Sequence, residues 1–111
     1  MRVLDRSTRS GRSISDHGSR FVLVPLMRPV DAARTVLLHL SSGDEIGAHE
    51  AGQRQILLVV RGSGWVSGGD GRRVAIDEDQ AAVFEAGELH AAGTEVGMVV
   101  VSIEGEFELD A

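Results

Sequence analysis

The 111-residue chain has no cysteine, no lysine and no tyrosine. Without Cys there is no disulfide, no thiolate nucleophile and no Cys-based zinc site. Aromatic residues are scarce, with three Phe and one Trp. No basic patch is interleaved with rings for base stacking. The net charge of −6 argues further against a general nucleic-acid binder. No apolar run approaches the ~18 residues of a spanning helix. The apolar piece at 21–27 carries Pro25 and is too short for a secretory leader. These absences describe a soluble, cytoplasmic protein with no nucleic-acid and no membrane partner. All eleven basic residues are Arg, which points to a GC-rich genome and not to chemistry.

What is present fits one domain, long enough to bury a core without staples. Charge is uneven. Residues 1–34 hold seven Arg and three Asp, a balance of +4; residues 35–111 hold four Arg and fourteen acids, a balance of −10. Residues 1–19, polar and without period, read as an extended N-terminal arm lying along an acidic body. Beyond them, short apolar runs alternate with Gly-rich breaks. Strands are expected over 20–27, 33–40, 54–60, 64–68, 72–76, 80–85, 88–92 and 96–105, with turns at 41–47 and 68–71. The run at 54–60 is nearly continuous and so should be buried on both faces. Nothing reads as a helix of ten residues. The fold class is all-β, a closed barrel or jelly roll that protects its sheet edges.

The order of parts resembles the cupin superfamily. Gly43, His49 and Gly62 match the Gly, first His and closing Gly of that family's first motif. Ala51 stands at its second His and Gln55 at its Glu. Glu85, Gly87 and His90 match the second motif, Pro-x-Gly-x-x-His, with Glu85 at the Pro. The resemblance, closest to the small single-domain cupins of actinobacteria, covers about residues 35–104. It implies a double-stranded jelly roll over 20–111, with core motifs at 43–90 and a 1–19 arm. It also implies an interior pocket that in many members holds a divalent metal on three His and one Glu. Two of those four donors are changed here, so the metal motif is degenerate.

Residues two apart on a strand share a face. His49 with Ala51, and Glu88 with His90, are therefore expected to line the pocket together with Gln55. A metal site would use His49, His90 and Glu88, with Gln55 as a weak fourth ligand. That set suits Fe, Mn, Ni or Zn, or leaves a pocket with no metal. Trp65 is expected in the core or at a dimer interface, Arg54 and Arg61 as solvated strand ends, with Arg61 near the pocket mouth as the alternative, and His39 on the face opposite Val36, Leu38 and Leu40. Ser63 lacks the strand-to-helix elbow of a hydrolase nucleophile. The leading reading is a small-molecule-binding protein, possessing at most a weakened metal site. The alternatives are a metal-dependent dioxygenase, isomerase or lyase on a small organic acid or phenol, a metal-free His–Glu acid–base catalyst, and a regulatory or structural module working through its surface. An N-terminal strand pairing across a two-fold axis would make it a homodimer.

Overall fold

The computed structural model describes residues 1–109. It contains eleven strands: β1 (Arg2–Asp5), β2 (Arg12–Ile14), β3 (Phe21–Leu23), β4 (Met27–Leu40), β5 (Glu45–Glu50), β6 (Arg54–Gly62), β7 (Gly64–Ser67), β8 (Arg73–Ile76), β9 (Gln80–Phe84), β10 (Leu89–Gly93) and β11 (Met98–Leu109). Two single 3-10 turns, Thr8–Ser10 and Asp16–Gly18, are the only helical segments among the described residues. The chain is all-β, as its short apolar runs require. No helix among those residues is long and apolar enough to cross a membrane.

Two antiparallel sheets face each other. The larger has the order β1-β9-β6-β11-β4, and the smaller β5-β10-β7-β8. The main core lies between them. Leu57, Val59, Phe84 and Val100 from the larger sheet meet Val66, Ile76 and Ala92 from the smaller. A second cluster covers the outer face of the larger sheet, where Ile56, Val83 and Ile103 pack with Phe107, Leu4 and Leu26. β6 is thus covered on both sides over its first half. Ile56 points outward and Leu57 inward, and both are buried. This is why its sequence runs apolar without alternation.

Several elements depart from the sequence expectation. Residues 41–47 are a turn only at their start, and β5 begins at Glu45. Its exposed, polar residues hide the strand pattern. The first residues of the expected arm form β1, which pairs with β9 from Arg2↔Val83 to Asp5↔Gln80. There Val3 and Leu4 reach the two core clusters. The rest of the arm folds back as a β2–β3 hairpin. Pro25 falls between strands. Pro29 lies inside β4, which tolerates it because β4 is an edge strand. Trp65 is not in the core. It lies half-buried against Gly93, with the Arg73 guanidinium 3.7 Å from its ring centroid.

The β6–β7 corner depends on glycine. Gly62 has φ +82°, and a Cβ there would stand 2.1 Å from the Gly97 carbonyl oxygen. Gly62→Ala combines that clash with a strained dihedral, and should cost at least about 2 kcal/mol. Gly52→Ala, with open space around it, should stay within about 0.5 kcal/mol of the parent. Urea unfolding midpoints of the two variants measure this difference.

Candidate functional site

β5 and β10 pair so that His49 stands directly across from His90. Their ring centroids are 4.3 Å apart at an interplanar angle of 54°. His90 packs on its other side against Phe84, at 4.6 Å. His90 is 3% exposed, whereas His49 is open to solvent. The Nδ1 of His49 bonds to the Gly47 carbonyl at 2.9 Å, and that of His90 to the Glu88 carbonyl at 3.3 Å. Burial pushes the His90 imidazole below its ordinary value, and the nearby His49 acts in the same direction. The Glu88 carbonyl and the Glu104 and Glu88 carboxylates oppose this without overturning it.

The two histidines border a cavity of about 260 Å³ between the sheets. Its remaining polar lining is Arg34 from β4, Gln55 from β6, and Ser102 and Glu104 from β11. Val36, Leu38, Ile46, Leu57 and Ala92 supply apolar wall. Strand register explains the arrangement. Arg34 pairs with Glu104 and Glu104 with Gln55, so three polar residues form one row across the larger sheet. Ser102, two residues before Glu104, accepts a hydrogen bond from Gln55 Nε2 at 2.8 Å. A few placed polar groups over an apolar wall is the usual build of a ligand site.

His49, Gln55 and His90 therefore line one cavity. Glu88 and Ala51 do not join them there. The Glu88 carboxylate is bound on the far side of its strand by the Met1 ammonium at 2.9 Å and by the backbone N–H groups of Glu85 and Gly69. Partial burial pushes that carboxyl up, but these donors outweigh it and hold it below the ordinary range. Glu88 directly follows the Gly87 turn, and the turn rotates its side chain away from the cavity. Ala51 is buried past the end of β5, exchanging backbone hydrogen bonds with Gly87 and Glu88. Arg61 is not at the mouth. It lies with His39 on the outer face of the larger sheet, both paired with Val99. Glu85 forms an ion pair with Arg54 at 3.0 Å.

Arg34, Ser102 and Glu104 were not found from sequence. The alternation was visible, since Val100, Ser102 and Glu104 on one strand, and Arg34, Val36 and Leu38 on another, share an inward parity. The register that joins the two strands was not.

No protein-family model matches the chain, and no curated protein matches it in sequence. Solved structures do match. A cupin superfamily protein from Desulfitobacterium hafniense superposes with a TM-score of 0.62 at 14% identity, over 77% of this chain and 74% of its own. A double-stranded beta-helix domain protein from Klebsiella pneumoniae gives 0.61 at 21% identity, over 79% and 82%. The DMSP lyase DddQ from Ruegeria pomeroyi gives 0.62 at 13%, over 68% of this chain but 40% of that enzyme. The fold is that of the cupins. At these identities the likeness establishes architecture and carries no activity with it.

The cupin metal site can be tested against the donors present. Two imidazoles face each other, the third cavity group beside them is the Gln55 amide, and the Glu88 carboxylate is held elsewhere. Among the described residues no three His, Cys, Asp or Glu side chains converge as a metal-binding group. The residues do not fit the family's four-ligand site.

Two predictions follow from this geometry. Ser102→Ala would leave the buried Gln55 amide without its acceptor, costing about 1–3 kcal/mol, and adding Gln55→Leu should recover most of that loss. Chemical denaturation of the single and double variants completes the cycle. For His90, the folded value lies below 6.5. Stability from the neutral ring is complete above about pH 6.5 and is lost as pH falls through the folded value. Wild type should lose more stability than His90→Asn between pH 7.5 and pH 5. Equal losses would show that His90 does not couple to folding.

Proposed function

We propose that the protein binds a small organic molecule inside the barrel, without the metal that this fold often carries. One observation supports this above the others. Two imidazoles, tilted against each other, share one cavity with Gln55, Arg34 and Glu104, over a wall of Val, Leu and Ile. The cavity, at about 260 Å³, lies just below the ~300 Å³ lower end for drug-sized ligands, so the molecule is small. The test is NMR observation of the His49 and His90 ring protons during a screen of small acids, amines and alcohols. Shifts in both rings that vanish in Arg34→Ala/Glu104→Ala support the reading. A screen that moves neither ring sinks it.

A second reading, acid–base catalysis, draws on the neutral His90 and the Glu104 carboxylate that acts on it electrostatically. It requires no metal. A metal-dependent dioxygenase, isomerase or lyase requires Fe, Mn, Ni or Zn on His49 and His90 with only Gln55 to assist. Elemental analysis of untagged protein separates these cases, and stoichiometric metal lost in His49→Ala/His90→Ala would overturn the metal-free proposal. Gln55→Glu would add a third donor, a charged one beside two neutral imidazoles, and should take up zinc at least about tenfold more tightly than wild type.

The same reading includes a homodimer. β4 is a 14-residue strand at the edge of its sheet, and it exposes Val30 at 64% and Leu37 at 61%. Long exposed edges with apolar side chains invite pairing with another copy. Sedimentation should give a dimer at micromolar concentration, and Val30→Glu/Leu37→Glu a monomer. A wild-type monomer would remove this part of the proposal.

A further inference from the structure

The polar groups that line the cavity can be sorted by what each still has to offer. A carbonyl oxygen only accepts. The Nδ1 atoms of His49 and His90, each bonded to a carbonyl, therefore carry the ring protons. In the neutral rings this leaves both Nε2 lone pairs without a donor from any described residue. Gln55 uses an N–H on Ser102, and its Oε1 remains open. Glu104 lines the same cavity with no hydrogen bond or ion pair to a described residue. These are four acceptors gathered in one small space. The main donor is Arg34, which is likewise without an ion pair or hydrogen bond to a described residue, and it stands beside Glu104 in the strand register.

An anion alone would set its lone pairs against two imidazole nitrogens and a carboxylate, and would offer none of them a donor. An uncharged hydrocarbon would leave every one of these groups unpaired. The inventory asks for a ligand with several N–H donors at one end, an anionic group beside them, and an apolar body.

We propose that the cavity takes a small apolar amino acid, or a molecule with the same head: a protonated amine and a carboxylate on one carbon. The ammonium has three donors for Glu104 and the Nε2 atoms of His49 and His90. The carboxylate meets the Arg34 guanidinium, which suits it geometrically. The hydrocarbon side chain lies against Val36, Leu38 and Leu57. His90 is 3% exposed, and with its Nδ1 bonded to the Glu88 carbonyl it turns Nε2 to the ligand as an acceptor. This inference rests on the barrel being an organic-ligand site, and it names the class of ligand.

Calorimetric titration of the full chain with three isosteric probes tests it. Leucine carries both charged groups, isocaproate only the carboxylate and isoamylamine only the ammonium. Leucine should bind at least about tenfold more tightly than either partial probe. Glu104→Gln should weaken leucine and isoamylamine about tenfold and leave isocaproate unchanged or tighter. Arg34→Gln should weaken leucine and isocaproate and spare isoamylamine. Isocaproate binding as tightly as leucine, or leucine indifferent to Glu104→Gln, would overturn the amino-acid assignment. No binding of any probe would overturn it too. In either event the fragment screen followed through the His49 and His90 rings decides separately whether the cavity is a ligand site at all.

Discussion

The register of β11 between its two neighbours is the constraint on which the site depends. β11 pairs along most of its length with β4 on one side and β6 on the other. That double pairing aligns Arg34, Glu104 and Gln55 in one row and Val36, Ser102 and Leu57 in the next. A slip of one residue would turn every inward side chain of β11 outward. Ser102 and Glu104 would then leave the cavity, and Val101 and Ile103 would leave the outer cluster for the inner one. The apolar residues on both faces of β6 oppose such a slip, because Ile56 and Leu57 are each fitted to a different buried cluster. Packing far from the cavity thus determines which polar groups the cavity contains.

The smaller sheet contributes through one cross-strand pair. His49 and His90 are forty-one positions apart in sequence and face each other because β5 and β10 are adjacent and antiparallel. The rings differ in environment. His90 is enclosed by Phe84 and His49 and is kept neutral, while His49 is open to water. A buried imidazole with its Nδ1 proton on a backbone carbonyl has a defined tautomer, and so presents a defined face to whatever enters. This is the orienting device that serves metal ligands in other proteins. It works equally well for an organic donor.

The all-β class and the cupin motif were legible in the sequence because both are written locally, in apolar runs, glycine breaks and the spacing around His49 and His90. Parity on a single strand was legible too, and it correctly separates His39 from Leu38 and Leu40. Glu88 misled because parity holds only inside a strand, and Glu88 precedes β10 at a turn where Gly87 has φ +82°. β5 was obscured because its two cavity-lining residues, Ile46 and His49, stand three apart across a register shift and so break the two-residue alternation. Arg34 and Glu104 could not be joined from sequence, since they lie seventy positions apart and only the strand register makes them neighbours. The site was therefore half visible: the part carried by motifs was seen, and the part carried by long-range pairing was not.

Gln55 is a buried amide facing the barrel interior. A buried amide needs partners for both its ends. Gln55 finds one in Ser102, on the adjacent strand, and its Oε1 stays open toward the cavity. Glu104 is the only carboxylate among the described residues that line the cavity, one position along the row. Negative charge thus stands in the barrel beside Arg34, near enough to His90 to act on it electrostatically. A four-donor cage would concentrate lone pairs on one point. Here they are spread along a wall that also carries a cation, and a distributed pattern of that kind is complementary to an extended molecule with separated charges.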